Sequence, residues 1–272
     1  MDPAVAYANC MSSASDGRAL WVPESSVEIG DVGFIDITAG KFTRLMNVTR
    51  RSDDPLNAGG VPDDFEPLVL NENAEFTRSH LNKGSMRSTS VKESRKHRFL
   101  SVVADWFGAG SLSAKHRFRC SENAGALLFL KDDADKSLHL STKEFTVYMS
   151  RWHASWCTYA EKRGYTIGDP DLLGPILVRG WVKTSSWGVA AWSTRSQHHD
   201  AHLDGEIGGK LRAGVSHATS KKMSKGLRYR RGPKDRRISR LLSRGKRDQC
   251  IFISYFQAQK RPLLPPKIIA CG

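Results

Sequence analysis

Cysteine is scarce and scattered in this chain, which excludes several classes of protein. The cysteines lie far apart, without a C-x-x-C pair, at Cys10, Cys120, Cys157, Cys250 and Cys271. An odd number of isolated cysteines is typical of free thiols in a reducing compartment, not of a disulfide framework or a zinc knuckle. The first twenty residues also lack a basic segment followed by a long apolar core. We therefore expect no secretory signal and a cytoplasmic protein, with the nucleus as the alternative.

Long apolar runs and the common catalytic motifs are also missing. The longest apolar stretches, such as Ala126–Leu130, are far too short to cross a bilayer as a helix. The sequence contains no G-x-x-x-x-G-K-[ST], G-x-G-x-x-G, G-x-S-x-G or H-E-x-x-H motif. It therefore fixes no reaction, indicates no particular cofactor, and favours a protein that is not an enzyme.

The residues that are present predict an α+β fold with mostly antiparallel strands. Hydrophobic residues make up 39% of the 272 residues, which is enough for a full core in one large or two small domains. Val32–Asp36 and Phe42–Met46 flank a turn and predict a hairpin. Further strands are predicted at 111–120 and 125–130, as an antiparallel pair, and at 176–178, 189–192 and 250–256. Because helices and strands do not alternate regularly, a parallel sheet is not expected.

One main amphipathic helix is predicted over about 142–163. Ser141 and Glu144 have the spacing of a capping box. Its apolar stripe predicts packing against a sheet and comprises Phe145, Tyr148, Met149, Trp152, Trp156 and Tyr159. His153 and Cys157 lie four residues apart and could form a thiolate-activating pair. The neighbouring stripe favours a half-buried thiol instead.

These patterns divide the chain into four parts. Residues 1–17 are predicted to be a flexible tail, and 18–208 a globular α+β body. Within that body, 50–97 is predicted to be a polar surface connection because it is rich in proline, glycine and polar residues. Residues 209–248 are predicted to form a basic hairpin arm and loop, and 249–272 a last strand and a C-terminal tail.

The net charge of +14 is concentrated near the C-terminal end. Residues 210–247 carry fifteen of the 42 Lys and Arg residues and one of the 28 acids, so the rest of the chain has equal numbers of each. A near-neutral body with one cationic block favours an anionic partner, either acidic lipid or nucleic-acid phosphate. The residues predicted to bind this anion are Lys221, Lys222, Lys225, Arg228, Arg230, Arg231, Lys234, Arg236, Arg237 and Arg240.

The residues around these cations refine the expectation. Tyr229 is the one aromatic residue in the block, so base stacking and sequence-specific recognition of nucleic acid are poorly supported. Ile238, Leu241 and Leu242 lie among arginines and predict a short basic amphipathic turn suited to a membrane surface. A solvated basic loop or a nuclear-import signal is the alternative interpretation.

Residues 201–216 alternate between apolar and polar residues, which is typical of a β-hairpin with one apolar face. A three-residue turn at Gly208–Lys210 would place Ile207 opposite Leu211 and keep the faces matched. The pattern supports a second hypothesis, a membrane pore-former of the gasdermin or perforin type. Each arm has roughly seven residues, however, whereas a membrane-spanning strand needs about nine to eleven.

Histidine and aspartate alternate at the start of this segment. Neighbours two apart on a strand share one face, and these residue types suit zinc or manganese. The candidate metal ligands are His198, Asp200, His202 and Asp204. A metal-dependent hydrolase is therefore a third hypothesis. The pattern matches no catalytic signature, and a solvated strand face is the simpler interpretation.

Several short blocks span most of residues 20–256. They are Gly30–Asp36, Phe42–Val48, Gly60–Leu68, Phe118–Leu128, Lys183–Trp187, Ala190–Trp192 and Gln249–Phe252. In this order they resemble a family of uncharacterised proteins of mushroom-forming fungi. The resemblance implies no activity and no site residues, because that family has no established activity. After Trp192, where a Gly/Ser-rich hairpin would be expected, this chain is rich in His and Asp and then strongly basic.

Overall fold

The computed structural model describes residues 1–12, 17–23, 26–71, 74–93, 118–120, 123–193, 227–233, 246–261 and 264–271. Within them lie two helices, α1 (Pro3–Met11) and α2 (Thr142–Lys162). The strands are β1 (Arg18–Ala19), β2 (Asp31–Asp36), β3 (Lys41–Asn47), β4 (Ala74–Leu81), β5 (Gly84–Arg87), β6 (Val91–Glu93), β7 (Phe118–Cys120), β8 (Ala124–Leu130), β9 (Ala134–His139), β10 (Leu172–Thr184), β11 (Trp187–Ser193), β12 (Leu227–Gly232), β13 (Gln249–Arg261) and β14 (Leu264–Cys271). These antiparallel strands and the main helix confirm the predicted α+β class.

The larger sheet, sheet A, has eight strands and is centred on β10 and β13. These two strands have 13 residues each and pair along most of their length. On its other side, β10 pairs with β2 in its first half and with β9 in its second half. The predicted β2–β3 hairpin is confirmed, and β3 lies at one edge of the sheet.

Helix α2 covers part of sheet A with its apolar stripe. Phe145, Met149 and Trp156 are fully buried and share a cluster with Leu177 and Phe256 of the two central strands. The rings of Phe145 and Phe256 stack with their centroids 5.5 Å apart. Full burial of each such side chain contributes roughly 1.5–3 kcal/mol. The predicted helix and its packing are therefore confirmed.

Sheet B has four strands in the order β12–β11–β8–β5. The chain passes from sheet A into sheet B between β4 and β5, and again through the short turn at 185–186 between β10 and β11. Every residue from Gly125 to Leu130 is buried, so both faces of β8 are covered. Helix α1 covers one face, where Tyr7 and Met11 share a buried cluster with Leu128 and Val189.

Helix α1 corrects the expectation of a flexible tail over residues 1–17. The side chain of Asp2 accepts a hydrogen bond from the Ala4 amide at 2.8 Å and caps the helix, and Pro3 occupies the first turn. Ala4 and Ala8 are buried. Together with Tyr7 and Met11 they recur at helical spacing, but the other positions of α1 include Val5, Ala6 and Cys10, so little polar contrast marks the helix in the sequence.

The structure also corrects the polar connection predicted over 50–97, which contains β4, β5 and β6. Most side chains of β4 are exposed or only half-buried, so no apolar alternation marks that strand. For the described residues 118–120 the predicted pairing with 125–130 is wrong, since β8 pairs with β11 and β5, and β7 pairs with β6. The partners of a strand that is buried on both faces depend on the order of strands in the sheet and need not be its neighbours in sequence.

Three further expectations change. Ser141 makes no side-chain capping bond, and Glu144 instead accepts a hydrogen bond from Asn71. Strand β12 pairs with β11, so the described part of the predicted basic arm belongs to sheet B. The predicted C-terminal tail contains β14, which extends sheet A. In the part of the chain that the structure describes, no helix combines the length and apolar character needed to cross a membrane.

Candidate anion-binding strand

Strand β12 carries the described members of the predicted anion-binding set, namely Arg228, Arg230 and Arg231. Arg230 lies opposite Val189 and Arg228 opposite Ala191. Directly opposite residues in a sheet share a face, so Arg228 and Arg230 lie on the face that α1 covers. Arg231 lies on the other face because successive side chains alternate. One strand therefore presents cations on both faces of the sheet.

The arginines of β12 are accessible at an edge of sheet B. Within the described residues, β12 pairs only with β11. Arg228 and Arg231 are exposed and Arg230 is half-buried. No acid of the described ranges forms an ion pair with Arg228 or Arg230. A guanidinium binds phosphate oxygens through two parallel hydrogen bonds, so this edge is suited to an anionic partner. Charged edge strands also discourage unwanted strand pairing.

Gly232 and Trp187 fix one end of β12 against the core. Trp187 is fully buried, and its Nε1 donates to Oε1 of Gln249 at 3.3 Å. A Cβ atom at Gly232 would lie 2.4 Å from Cζ2 of Trp187, so only glycine allows this approach. Ser186 Oγ also donates to the Gly232 carbonyl at 3.3 Å. Strand β12 is therefore anchored to the core at its C-terminal end.

The other predicted site residues lie outside the described residues. For the anion site these are Lys221, Lys222, Lys225, Lys234, Arg236, Arg237 and Arg240. For the metal site they are His198, Asp200, His202 and Asp204. Among the described residues, no group of three or more His, Cys, Asp or Glu side chains could hold a metal ion. The metal site therefore stays a prediction.

Two long connections start from strands at, or adjoining, one end of sheet B. The first, 194–226, joins β11 to β12, and Trp192 pairs with Leu227 at its root. At the same end, Ser193 of β11 pairs with Ala124, the first residue of β8. We call this end of the sheet the Ala124 end.

The second connection, 94–117, joins β6 to β7. The chain reaches β6 from β5 by running along β8 toward the Ala124 end, where Ser90 Oγ donates to the Ala124 carbonyl at 2.9 Å. A short segment connects the end of β7 to the start of β8. Strands β6 and β7 pair with each other as a separate two-stranded sheet, so 194–226 departs from sheet B itself, whereas 94–117 departs from the far end of the β6–β7 pair that adjoins it.

A buried polar cluster was not anticipated from the sequence. Asp31 is fully buried and accepts hydrogen bonds from Arg44 Nε at 2.6 Å and from Asn47 Nδ2 at 2.8 Å. Its other oxygen accepts from the Glu28 amide at 2.8 Å, and Lys183 Nζ donates to the Glu28 carboxylate at 2.9 Å. Burial raises the pKa of Asp31, although Arg44 acts in the opposite direction. The cluster connects β2 and β3 to β10. The feature of the sequence that could have indicated it is the presence of polar residues at inward-facing strand positions.

Neither Cys250 nor Cys157 is a strong nucleophile candidate. Burial raises the pKa of Cys250 to about 12, although Lys183 lowers it. A thiol with such a pKa is protonated at neutral pH and therefore unreactive. Cys157 is half-buried, as expected, and its Sγ lies 3.8 Å from Nδ1 of His153. That separation is a weak sulfur contact.

The chain matches no protein-family model, no curated protein and no solved structure. The features that bear on function are therefore the geometry of β12 and of sheet B, together with the sequence of the two connections.

Proposed function

We propose that the protein binds an anionic lipid membrane and inserts β-hairpins into it, as pore-formers of the gasdermin or perforin type do. The observation that carries this proposal is that 194–226 departs from the Ala124 end of sheet B, and that the separate β6–β7 pair, which carries 94–117, adjoins the same end. Hairpins prolonged at one end of an antiparallel sheet keep their backbone hydrogen bonds paired between strands. Paired backbone groups are the condition for entering a bilayer as strands.

The sequences of both connections support insertion. A membrane-inserted strand alternates between a lipid-facing side chain and a water-facing one. Residues 201–215 alternate in this way, and 111–119 do so in part, where Leu112, Ala114 and Phe118 separate Ser, Lys and Arg residues but His116 interrupts the apolar side. Half of 194–226, extended at about 3.3 Å per residue, would span about 50 Å, against about 30 Å for the hydrocarbon core. The whole connection is therefore long enough, although its regular alternation covers a shorter part.

The arginines of β12 supply the attraction that precedes insertion. Each basic residue near an acidic membrane surface adds about 1 kcal/mol, and Arg228, Arg230 and Arg231 stand at the root of the longer connection. The remaining cations of the predicted block follow on either side in sequence. Nucleic acid offers the same negative charge, but β12 carries one aromatic residue for stacking, Tyr229. An acidic lipid surface is therefore favoured.

The register of β11 and β12 imposes a condition on the hairpin. Trp192 pairs with Leu227. Continued without interruption, this register would set Ile207 opposite Arg212 and mix the apolar and polar faces. One β-bulge between the root and the turn would restore Ile207 opposite Leu211. We therefore expect a bulge in the inserted hairpin.

Dye release from vesicles tests the proposal. The protein is mixed with neutral or acidic vesicles, at low and high salt, and both sedimentation and release of an entrapped dye are measured. We expect binding that requires acidic lipid and weakens with salt, followed by release. Binding without release would refute insertion. Binding that ignores lipid charge and salt, or binding to nucleic acid alone, would refute membrane recognition.

A pair of neighbouring variants makes the insertion test specific. Leu203→Asp places a charge on the apolar side of the alternation, whereas His202→Asp places the same charge on the polar side. A basic side chain on the lipid-facing side of a membrane strand costs about 2–4 kcal/mol near the bilayer midplane, and an acidic one also destabilises insertion but costs less. We expect Leu203→Asp to bind vesicles without releasing dye, and His202→Asp to release it. Equal release by both variants would contradict hairpin insertion.

A further inference from the structure

The strand pairs β5–β8 and β6–β7 are two parts of one bent hairpin. Strand β6 follows β5 along the chain and β8 follows β7, so the chain runs out along one side of the hairpin and back along the other. Between the two pairs, the outgoing side advances by three residues, from Ser88 to Val91. The returning side advances by six, from Cys120 to Ala126. A straight ladder needs equal numbers on both sides, so the hairpin bends here.

A β-turn over 88–91 makes the bend. The Val91 amide donates to the Ser88 carbonyl at 3.0 Å. Ser79 is the one non-glycine residue with a positive φ in the described ranges, so both central residues of the turn have a negative φ, as in a type I turn. Such a turn brings its end Cα atoms within about 7 Å, whereas extended chain of the same length spans about 10 Å. The far part of the hairpin, β6–β7, therefore leaves the line of sheet B.

Two buried serine hydroxyls connect this turn to the start of β8. Ser88 and Ser90 are each 3% exposed, and their Oγ atoms lie 2.9 Å apart. The Ala126 amide donates to Ser88 Oγ at 3.1 Å. Ser90 Oγ donates to the Ala124 carbonyl at 2.9 Å. Because each hydroxyl has one proton, the Ser88 hydroxyl donates to Ser90. We call this chain of three hydrogen bonds the serine clasp.

The serine clasp stands in for bonds that a straight ladder would make. In a straight antiparallel pair, residues 88 and 126 would exchange two backbone hydrogen bonds, and so would 90 and 124. The Ser88 amide does donate to the Ala126 carbonyl at 3.0 Å. The Ser88 carbonyl, however, accepts from Val91, and the Ala126 amide uses the Ser88 hydroxyl instead. The bent and the straight form thus satisfy the same polar groups of β8, which is the property of a two-state element.

We propose that the serine clasp is a hinge, which holds the hairpin bent before membrane contact and opens on insertion, so that β6 and β7 continue the line of β5 and β8. This inference rests on the proposed function, because it states how 94–117 comes into line with sheet B. Val91 is 3% exposed, and its burial favours the bent form in water. On opening, the backbone groups of Ser88 and Ser90 take over the bonds of their hydroxyls, so Ala124 and Ala126 stay paired.

Amide hydrogen exchange of the full-length protein tests the hinge without vesicles. Ser90→Ala removes the hydroxyl that reaches Ala124 but keeps the backbone amide that a straight ladder uses. We expect the Val91 amide to exchange about five-fold faster in this variant, because one buried hydrogen bond of the bent form is lost. The exchange should not depend on dilute urea, as in a local opening. Val91 exchange that is unchanged in Ser90→Ala, or that follows the urea dependence of Tyr255 in the core of sheet A, would overturn the inference.

Dye release from acidic vesicles tests opening on the membrane. We expect Ser90→Ala to release dye about five-fold faster than the wild type, because it weakens the bent form alone. Thr89→Pro should release dye more slowly, since proline at the second position of a type I turn stabilises the turn. Thr89→Ala is the matched control, because Thr89 is exposed between the two serines, and it should release dye at the wild-type rate. Equal rates in all variants would overturn the inference, and thermal unfolding verifies that each variant is folded.

The two measurements separate this inference from the proposed function. Absence of dye release by the wild type would refute insertion, and the exchange of Val91 would then decide whether the clasp opens. Dye release by the wild type that neither Ser90→Ala nor Thr89→Pro changes would refute the hinge alone.

Discussion

Arg44→Gln is expected to destabilise the protein strongly, because Arg44 supplies the cation that pairs with the buried Asp31. The carboxylate of Asp31 is fully buried and accepts from Nε and Nη2 of Arg44 at 2.6 and 2.7 Å. Breaking a buried ion pair from one side leaves an uncompensated charge and costs about 3–5 kcal/mol. The Arg44 side chain keeps 21% exposure, so water can partly replace it. We therefore expect a loss near the lower end, about 3 kcal/mol.

The pH dependence of this loss follows from the direction of the pKa shift. Burial raises the pKa of Asp31 above its usual 3.8, and Arg44 opposes that rise. A carboxyl group with a raised folded-state pKa contributes stability below its unfolded pKa and loses it as the pH rises through the folded one. Removing Arg44 raises the folded pKa further. The deficit of Arg44→Gln should therefore be largest at neutral pH and shrink as the pH falls toward 3.8.

Urea unfolding followed by tryptophan fluorescence, at neutral and mildly acidic pH, measures both effects. Arg51→Gln is the matched control, because Arg51 pairs with Asp53 at 3.2 Å on the surface, where the two side chains are 84% and 71% exposed. An exposed pair of this kind contributes about 0–1 kcal/mol. A loss in Arg44→Gln no larger than in Arg51→Gln, or one that grows on acidification, would refute the reasoning.

Other predictions concern single positions. Gly232→Ala should destabilise the protein by about 1–3 kcal/mol, since the new Cβ would overlap the Trp187 indole, and a lower urea midpoint would confirm it. Cys250 should react with a thiol reagent at pH 8 only after unfolding, because burial raises its pKa to about 12, and mass spectrometry of the labelled cysteine measures this. Tyr7→Phe should leave the melting temperature unchanged or raise it, because the Tyr7 hydroxyl is buried and has no hydrogen-bond partner among the described residues. A clear decrease would argue against that account.

Elements with a strong local pattern were predictable from the sequence. Phe145, Met149 and Trp156 recur at helical spacing, and they mark both the length of α2 and the side that it buries. The β2–β3 hairpin was marked by two apolar runs around a turn. In both elements the residues that decide the structure are neighbours in sequence.

Elements defined by distant contacts were not predictable. Most of β4 is exposed or half-buried, so its residues alternate in no apolar pattern, and its pairing with β9 decides its conformation. Helix α1 did carry local signals, Asp2 followed by Pro3 and buried residues at helical spacing, but its other positions are mostly small or apolar, so no polar face set the buried one apart. The partners of β8 are set by the order of strands in sheet B.

The candidate site likewise has one part that could be predicted from the sequence and another that only the fold defines. Charge counting alone identified Arg228, Arg230 and Arg231, but their place on an edge strand depends on pairing with β11. The groove between segment 66–69 and α2 could not be predicted from the sequence, because Glu66 and Arg151 lie far apart in the chain and meet only in the fold. Likewise, the placement of the two connections near one end of sheet B depends on pairing between distant strands.

The most direct measurement of membrane insertion is a scan with an environment-sensitive fluorophore. Single cysteines at 203, 204, 205, 206 and 207 are labelled, and the emission is compared before and after addition of acidic vesicles. We predict a period of two, in which Leu203, Gly205 and Ile207 report lipid while Asp204 and Glu206 report water, because strand side chains alternate between two faces. Labels that all stay in water, or that change without alternation, would contradict insertion of a β-hairpin.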